Sequence, residues 1–192
     1  MMKIKLSTLL VFVCFGFSNS FACTCETDST VIRKYMEDAE YIVIGHAIKN
    51  IDYNNEVRES WDKRNSGFEV VFVVDSIIKG EIESNEILIN QFGEGNCSQL
   101  FEFGERYILF GNRLKKFINR TPKIPKVKKG EIPATLEPPP PPSIFETIMY
   151  CYNNKDNEIR YWNKLAESKI VLHSSQCSTF NMNSLLAQDI LN

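Results

Sequence analysis

Two cysteines one residue apart, Cys23 and Cys25, stand where an apolar leader gives way to polar chain. Thiols so placed can crosslink, act as redox groups or accept a lipid. If the leader is cut after Ala22, Cys23 becomes the first residue, and its free α-amine sits beside two sulfurs. The leader has the parts of a secretory signal: Lys3 and Lys5, an apolar run from Leu9 to Phe17, and small residues Ser20 and Ala22 before the cut. The run is short of the roughly 20 residues a membrane span needs. Residues 1–22 are therefore expected to be a signal peptide. The remainder would be secreted, periplasmic or otherwise extracellular.

Of the six cysteines, Cys14 leaves with the leader, and Cys23, Cys25, Cys97, Cys151 and Cys177 remain. In an exported chain these read first as disulfide partners. Five is odd, so one thiol is free, modified or paired with another molecule. Cys23 and Cys25 are poor partners for each other, because one intervening residue closes a small, strained ring. Each is expected to reach a distant cysteine and tie the N-terminal segment to the body. A redox dithiol would want Cys-x-x-Cys, which the sequence lacks at this junction.

Other chemistry has little to stand on. His46 lies in an apolar run and His173 just before Cys177, with no matched nucleophile or carboxylate motif. There is no phosphate-cradling glycine loop, zinc helix motif or nucleophile elbow. The chain is read as no enzyme, with no cofactor and no metal of its own. The formal net charge is −2, and loss of Lys3 and Lys5 with the leader makes it −4. That balance argues against nucleic acid as a partner.

The elements that must hold the cysteines follow from periodicity. The chain has 192 residues; removing 22 leaves 170, enough for one domain, 23–192, with a buried core. Asp28 or Ser29 caps a short helix to about Asp38, with Val31, Ile32, Tyr35, Met36 and Ala39 on one face. Strands are expected at Tyr41 to Ile48, Phe68 to Ile78, Glu86 to Phe92 and Glu105 to Phe110, forming an antiparallel meander. Gly45 in the first marks a bulge or a close backbone approach.

Residues 112–146 carry Arg113, Lys115, Lys116, Arg120, Lys123, Lys126, Lys128 and Lys129 with no acid before Glu131, then five prolines from Pro138 to Pro142. This reads as a solvated, projecting insertion, stiff where the prolines run. Further on, Phe145 to Tyr152 is expected to be a strand, Ile159 to Trp162 its hairpin mate, and Lys169 to His173 a short β segment. A helix from Asn183 to Leu191 buries Leu185, Leu186 and Ile190.

The order of these features carries a resemblance. The mature chain opens Cys-Thr-Cys and runs through a helix into Ala39-Glu40-Tyr41-Ile42-Val43-Ile44-Gly45. Cys97 then precedes Phe103-Gly104-Glu105-Arg106-Tyr107-Ile108-Leu109-Phe110-Gly111, and Cys177 precedes a leucine-containing helix. This resembles the netrin-like family, in particular the N-terminal domain of the tissue inhibitors of metalloproteinases. The resemblance implies a mainly β fold, a five-stranded OB-type barrel with flanking α-helices. It also implies disulfides Cys23–Cys97 and Cys25–Cys177, with Cys151 unpaired or exchanged with Cys177 as the partner of Cys25.

In that family the first residue is an inhibitory wedge. By resemblance, the Cys23 amine and carbonyl oxygen would chelate the zinc of a target metalloendopeptidase, and Thr24 would enter the pocket beside it. The partner would then be a zinc metalloendopeptidase. Two other uses stay open at this stage. One is an interaction module for another extracellular or surface protein. The other is lipid attachment at Cys23, which would anchor the chain to a membrane and block the amine.

Overall fold

The computed structural model describes residues 25, 28–51, 65–92, 97–119, 147–151 and 156–192. Their elements, in chain order, are helix α1 (Ser29–Asp38) and strands β1 (Tyr41–Asn50), β2 (Ser66–Gly67), β3 (Val70–Lys79), β4 (Glu86–Asn90), β5 (Phe101–Glu102), β6 (Arg106–Gly111), β7 (Lys116–Asn119) and β8 (Ile148–Cys151). Helix α2 (Asp156–Ser168), strands β9 (Val171–His173) and β10 (Thr179–Asn181) and helix α3 (Leu185–Leu191) follow. The fold is mainly β, built on a curled half-barrel sheet with three helices among the described residues.

The sheet has six strands in the order β10-β6-β1-β3-β4-β9. A meander would set β6 beside β4. Instead β6 returns to pair antiparallel with β1, from Tyr41↔Gly111 to His46↔Arg106. The four long strands therefore lie in the order fourth-first-second-third, which is a Greek key. The return covers the edge of β1, and β9 covers the edge of β4 in parallel, Leu88↔Val171 to Asn90↔His173. Neither central strand is left with an open edge that could recruit another chain. Beyond β6, Arg113 bridges Leu172, and Leu114 N–H donates to the Val171 carbonyl at 2.8 Å.

Strand alternation sends side chains into cores on both faces. Val43, Val70, Phe72, Ile87, Ile89, Tyr107 and Leu109 share the inner core. Their strand neighbours point the other way: Ile42, Ile108 and Phe110 pack with Ile32 and Met36 of α1 and Ala187 and Ile190 of α3. Val71 and Leu88 meet Ile159 and Trp162 of α2. Covering both faces explains why these segments read as continuous apolar runs with little polar alternation. Asp28 caps α1, its carboxylate accepting the Thr30 N–H at 2.7 Å, and that bond holds the carboxyl below the usual range.

Leu185, expected in the buried stripe of the last helix, is 84% exposed on α3, whose buried residues are Ala187 and Ile190. Three further expectations are corrected. The meander is one. Ile159 to Trp162 is not a hairpin strand but lies within α2, where Ile159, Trp162 and Ala166 recur at helical spacing and are buried. A four-residue apolar window does not distinguish the two periods. The partner of β8 is β7, in parallel, Lys116↔Ile148 to Asn119↔Cys151.

The third correction concerns where the insertion begins. Residues 112–119 belong to the body: Leu114 and Phe117 are buried, and both backbone groups of Phe117 bond the Asn163 side chain at 2.9 Å. Arg113, read as part of a basic arm, donates to the carbonyls of Ala166 and Lys169 at 3.1 and 3.3 Å and so satisfies the C-terminal end of α2. Residues 120–146, with the proline run, lie outside the described residues.

At Gly45 the register of β1 against β3 shifts. A Cβ there would overlap the Val73 carbonyl oxygen and come within 2.6 Å of the Phe72 ring. The position needs glycine for space, with no unusual backbone angle involved. Gly45→Ala should lower unfolding free energy by about 1–3 kcal/mol, the usual cost of overpacking a core. A denaturant midpoint equal to wild type would show that the sheet has slack at this point.

Candidate functional site at the disulfide platform

The sequence placed its chemistry at the cysteines, and the fold brings three of them to one end of the sheet. Cys25 is bonded to Cys177 across 152 residues of chain, with Cα atoms 5.1 Å apart. Cys97 is also disulfide-bonded, and its partner lies outside the described residues, as do Cys23 and Thr24. Two hydrogen bonds from Gln176 lace the two cysteine segments together. Gln176 N–H donates to the Cys97 carbonyl at 2.8 Å, and Gln176 Nε2 donates to the Ser98 carbonyl at 3.2 Å.

Beneath this platform lies a buried polar network that sequence reasoning missed. Ser174 Oγ bonds Thr179 Oγ1 at 2.7 Å, and Ser175 N–H donates to Ser178 Oγ at 3.1 Å. Cys177 N–H donates to Ser175 Oγ at 3.2 Å. The Asn90 carbonyl accepts Ser174 N–H at 3.3 Å and faces His173 Nδ1 at 3.2 Å. A carbonyl only accepts, so Nδ1 is the protonated nitrogen of that ring. Serines between two strands ordinarily read as solvated turn, and only the absence of nearby charge hinted at burial. Interior hydrogen bonds of this kind hold a segment in one arrangement, since each broken bond would leave a buried group unpaired.

No family model matches the chain, and no curated protein matches it. What the site can do therefore rests on its own geometry.

Cys151 is not part of the platform. It is free and buried in the core beneath α2, so it is not the partner of Cys25. Burial pushes its thiol up to about 12, helped by the nearby carboxylates of Glu158 and Glu69. A thiol so far from ionising is a poor nucleophile and metal ligand. His46 serves a cross-strand contact: its Nδ1 faces Asp75 at 3.3 Å, and the second oxygen of Asp75 accepts Arg106 Nε at 3.1 Å. Among the described residues no group of three or more His, Cys, Asp or Glu side chains could hold a metal ion. Among the same residues no helix is long and apolar enough to cross a membrane.

Glu69 and Glu158 form a second feature without a signal in the sequence. Glu158 is buried on the first turn of α2, two residues past its start. Glu69 accepts from Asn90 Nδ2 at 3.3 Å and from the Gln91 backbone. Burial pushes Glu69 up to about 8, and the charge of Glu158 adds to the effect, against the opposing Gln91 bond.

A raised folded-state value means that the native protein holds a proton the unfolded chain has released. Stability from this group is complete below the ordinary value of 4.5 and falls as pH rises to about 8. Chemical denaturation between pH 5 and 9 should show a decline of roughly 2–4 kcal/mol, less than the whole shift implies because Glu69 keeps an edge in solvent. Glu69→Gln should flatten the profile. A variant profile that still falls as steeply would assign the proton elsewhere.

Proposed function

We propose that this chain is an exported netrin-like protein of the metalloproteinase-inhibitor type, acting through an N-terminal segment pinned to the sheet. The observation that carries this reading is the anchoring of Cys25 to Cys177 directly beside disulfide-bonded Cys97. A segment fixed at that point has little freedom left to lose on binding, which favours a rigid wedge over a flexible tail.

The finer fold assignment belongs to the same proposal. β1, β3, β4, β6 and β9 are five strands in Greek-key order, and the Arg113–Leu172 bridge draws the chain beyond β6 towards β9. That supports an OB-type barrel, a partly open five-stranded Greek-key form.

The chemistry follows from a mature chain that starts at Cys23. Its α-amine, neutral above an ordinary value of roughly 8, and its carbonyl oxygen would close a five-membered chelate on zinc. Bound there, they would occupy the coordination position where the target's catalytic water is activated. Thr24 would fill the adjoining pocket of the target. Cys23 supplies both ligand atoms without its sulfur.

The test is inhibition of a panel of zinc endopeptidases by protein beginning at Cys23, beside the same protein with one extra N-terminal alanine. The added residue should weaken inhibition at least about 100-fold, equivalent to about 2.7 kcal/mol. Equal potency of the two forms, or an acylated Cys23 by mass spectrometry, would rule out amine chelation. The netrin-like interaction module would then be the better reading.

A further inference from the structure

One residue next to the platform is bonded more completely than a structural filler requires. β4 ends at Asn90, and Gln91 turns its side chain inward, 5% exposed. Its Nε2 donates to the carbonyls of Phe68 at 2.6 Å and Gln99 at 2.8 Å, and its Oε1 accepts the N–H of Gln99. Both amide hydrogens and the oxygen are used. The two bonds to Gln99 offer that residue what a neighbouring strand would offer, an acceptor for its N–H and a donor for its carbonyl.

Only a primary amide of this length fits the arrangement. Glutamate would lose both donors, methionine would lose every polar atom, and asparagine is one methylene short.

Gln99 is two residues from Cys97. On the other side, Gln176 holds the Cys97 and Ser98 carbonyls. The short segment 97–99 is thus gripped by Gln91 from the end of β4 and by Gln176 from the Cys177 turn.

We infer that Gln91 is a positioning residue: by clamping Gln99 it fixes the Cys97 segment, and through the Cys97 disulfide it sets how the N-terminal segment is presented. The consequence for inhibition rests on the wedge function proposed above. The consequence for the disulfide does not. A sulfur held in place has a high effective concentration towards its partner, and releasing the segment lowers it.

The experiment equilibrates full-length mature protein in glutathione buffers of graded potential, traps thiols and maps them by mass spectrometry. Gln91→Met, which keeps the volume, should lower the equilibrium constant for the Cys97 disulfide about tenfold, a shift of about 30 mV. The Cys25–Cys177 bond should stay within about twofold of wild type. Equal shifts in both disulfides would mean general loosening and would overturn the inference, as would no shift in either.

If Gln91→Met fails to fold, Gln176→Ala alters only the exposed grip on Ser98 and should shift the Cys97 couple about threefold in the same direction. No shift there would show that holding 97–99 has no bearing on the disulfide. Where wild type inhibits an endopeptidase, Gln91→Met should weaken inhibition about tenfold. Wild type that inhibits none, with the Cys97 shift present, would refute the wedge and leave the clamp standing.

Discussion

Where a sheet is covered on both faces no solvent side sets its register, and the strands there must be placed by what they meet above and below. That constraint governs this protein. β1 sends Val43 to one core and Ile42 to another, and β6 does the same with Leu109 and Ile108. A slip of one residue would exchange the two sets and misfit both. The position of Gly45, where β1 crosses close to Val73, belongs to the same locking. The sheet is therefore a stiff base for whatever is fastened to its end.

What is fastened there is polar and crosslinked. The turn carrying Cys177 is held by serine and threonine hydroxyls in the interior, and the segment carrying Cys97 by the amide of Gln91. The Cys177 turn lies between β9 and β10, and the Cys97 segment is tied through Gln91 to the end of β4. The Cys25–Cys177 bond then limits the path of the N-terminal segment. Its contribution to stability, typically about 2–4 kcal/mol for a long loop, comes from restricting the unfolded chain.

The carboxyls beneath α2 show a different economy of charge. Glu69 and Glu158 are brought near one another in a largely apolar setting, where one of them holds a proton well above the ordinary range. Cys151 beside them stays a thiol for the same reason, the poor solvation of negative charge. The burial of Glu69 thus depends on its protonation, while the platform depends on neutral hydrogen bonds.

The sequence alone determined the first and last helices to within a few residues, the four long strands and the special role of Gly45. These are local matters: caps, periodicity and the lack of a side chain act over a few residues and need no knowledge of the rest. Tertiary structure decided what local pattern does not encode. Ile159 to Trp162 became helix because its apolar spacing met the face made by Phe117 and Met149. Arg113 became a helix cap because β6 carries it to the end of α2. The residue reading left the partner of Cys25 open, and it is Cys177 because the return of the chain through β9 and β10 brings that sulfur to the N-terminal segment while Cys151 is sealed in another core. Which residues are buried, and hence which carboxyl, amide or thiol has an unusual role, depends on contacts between segments far apart in the chain.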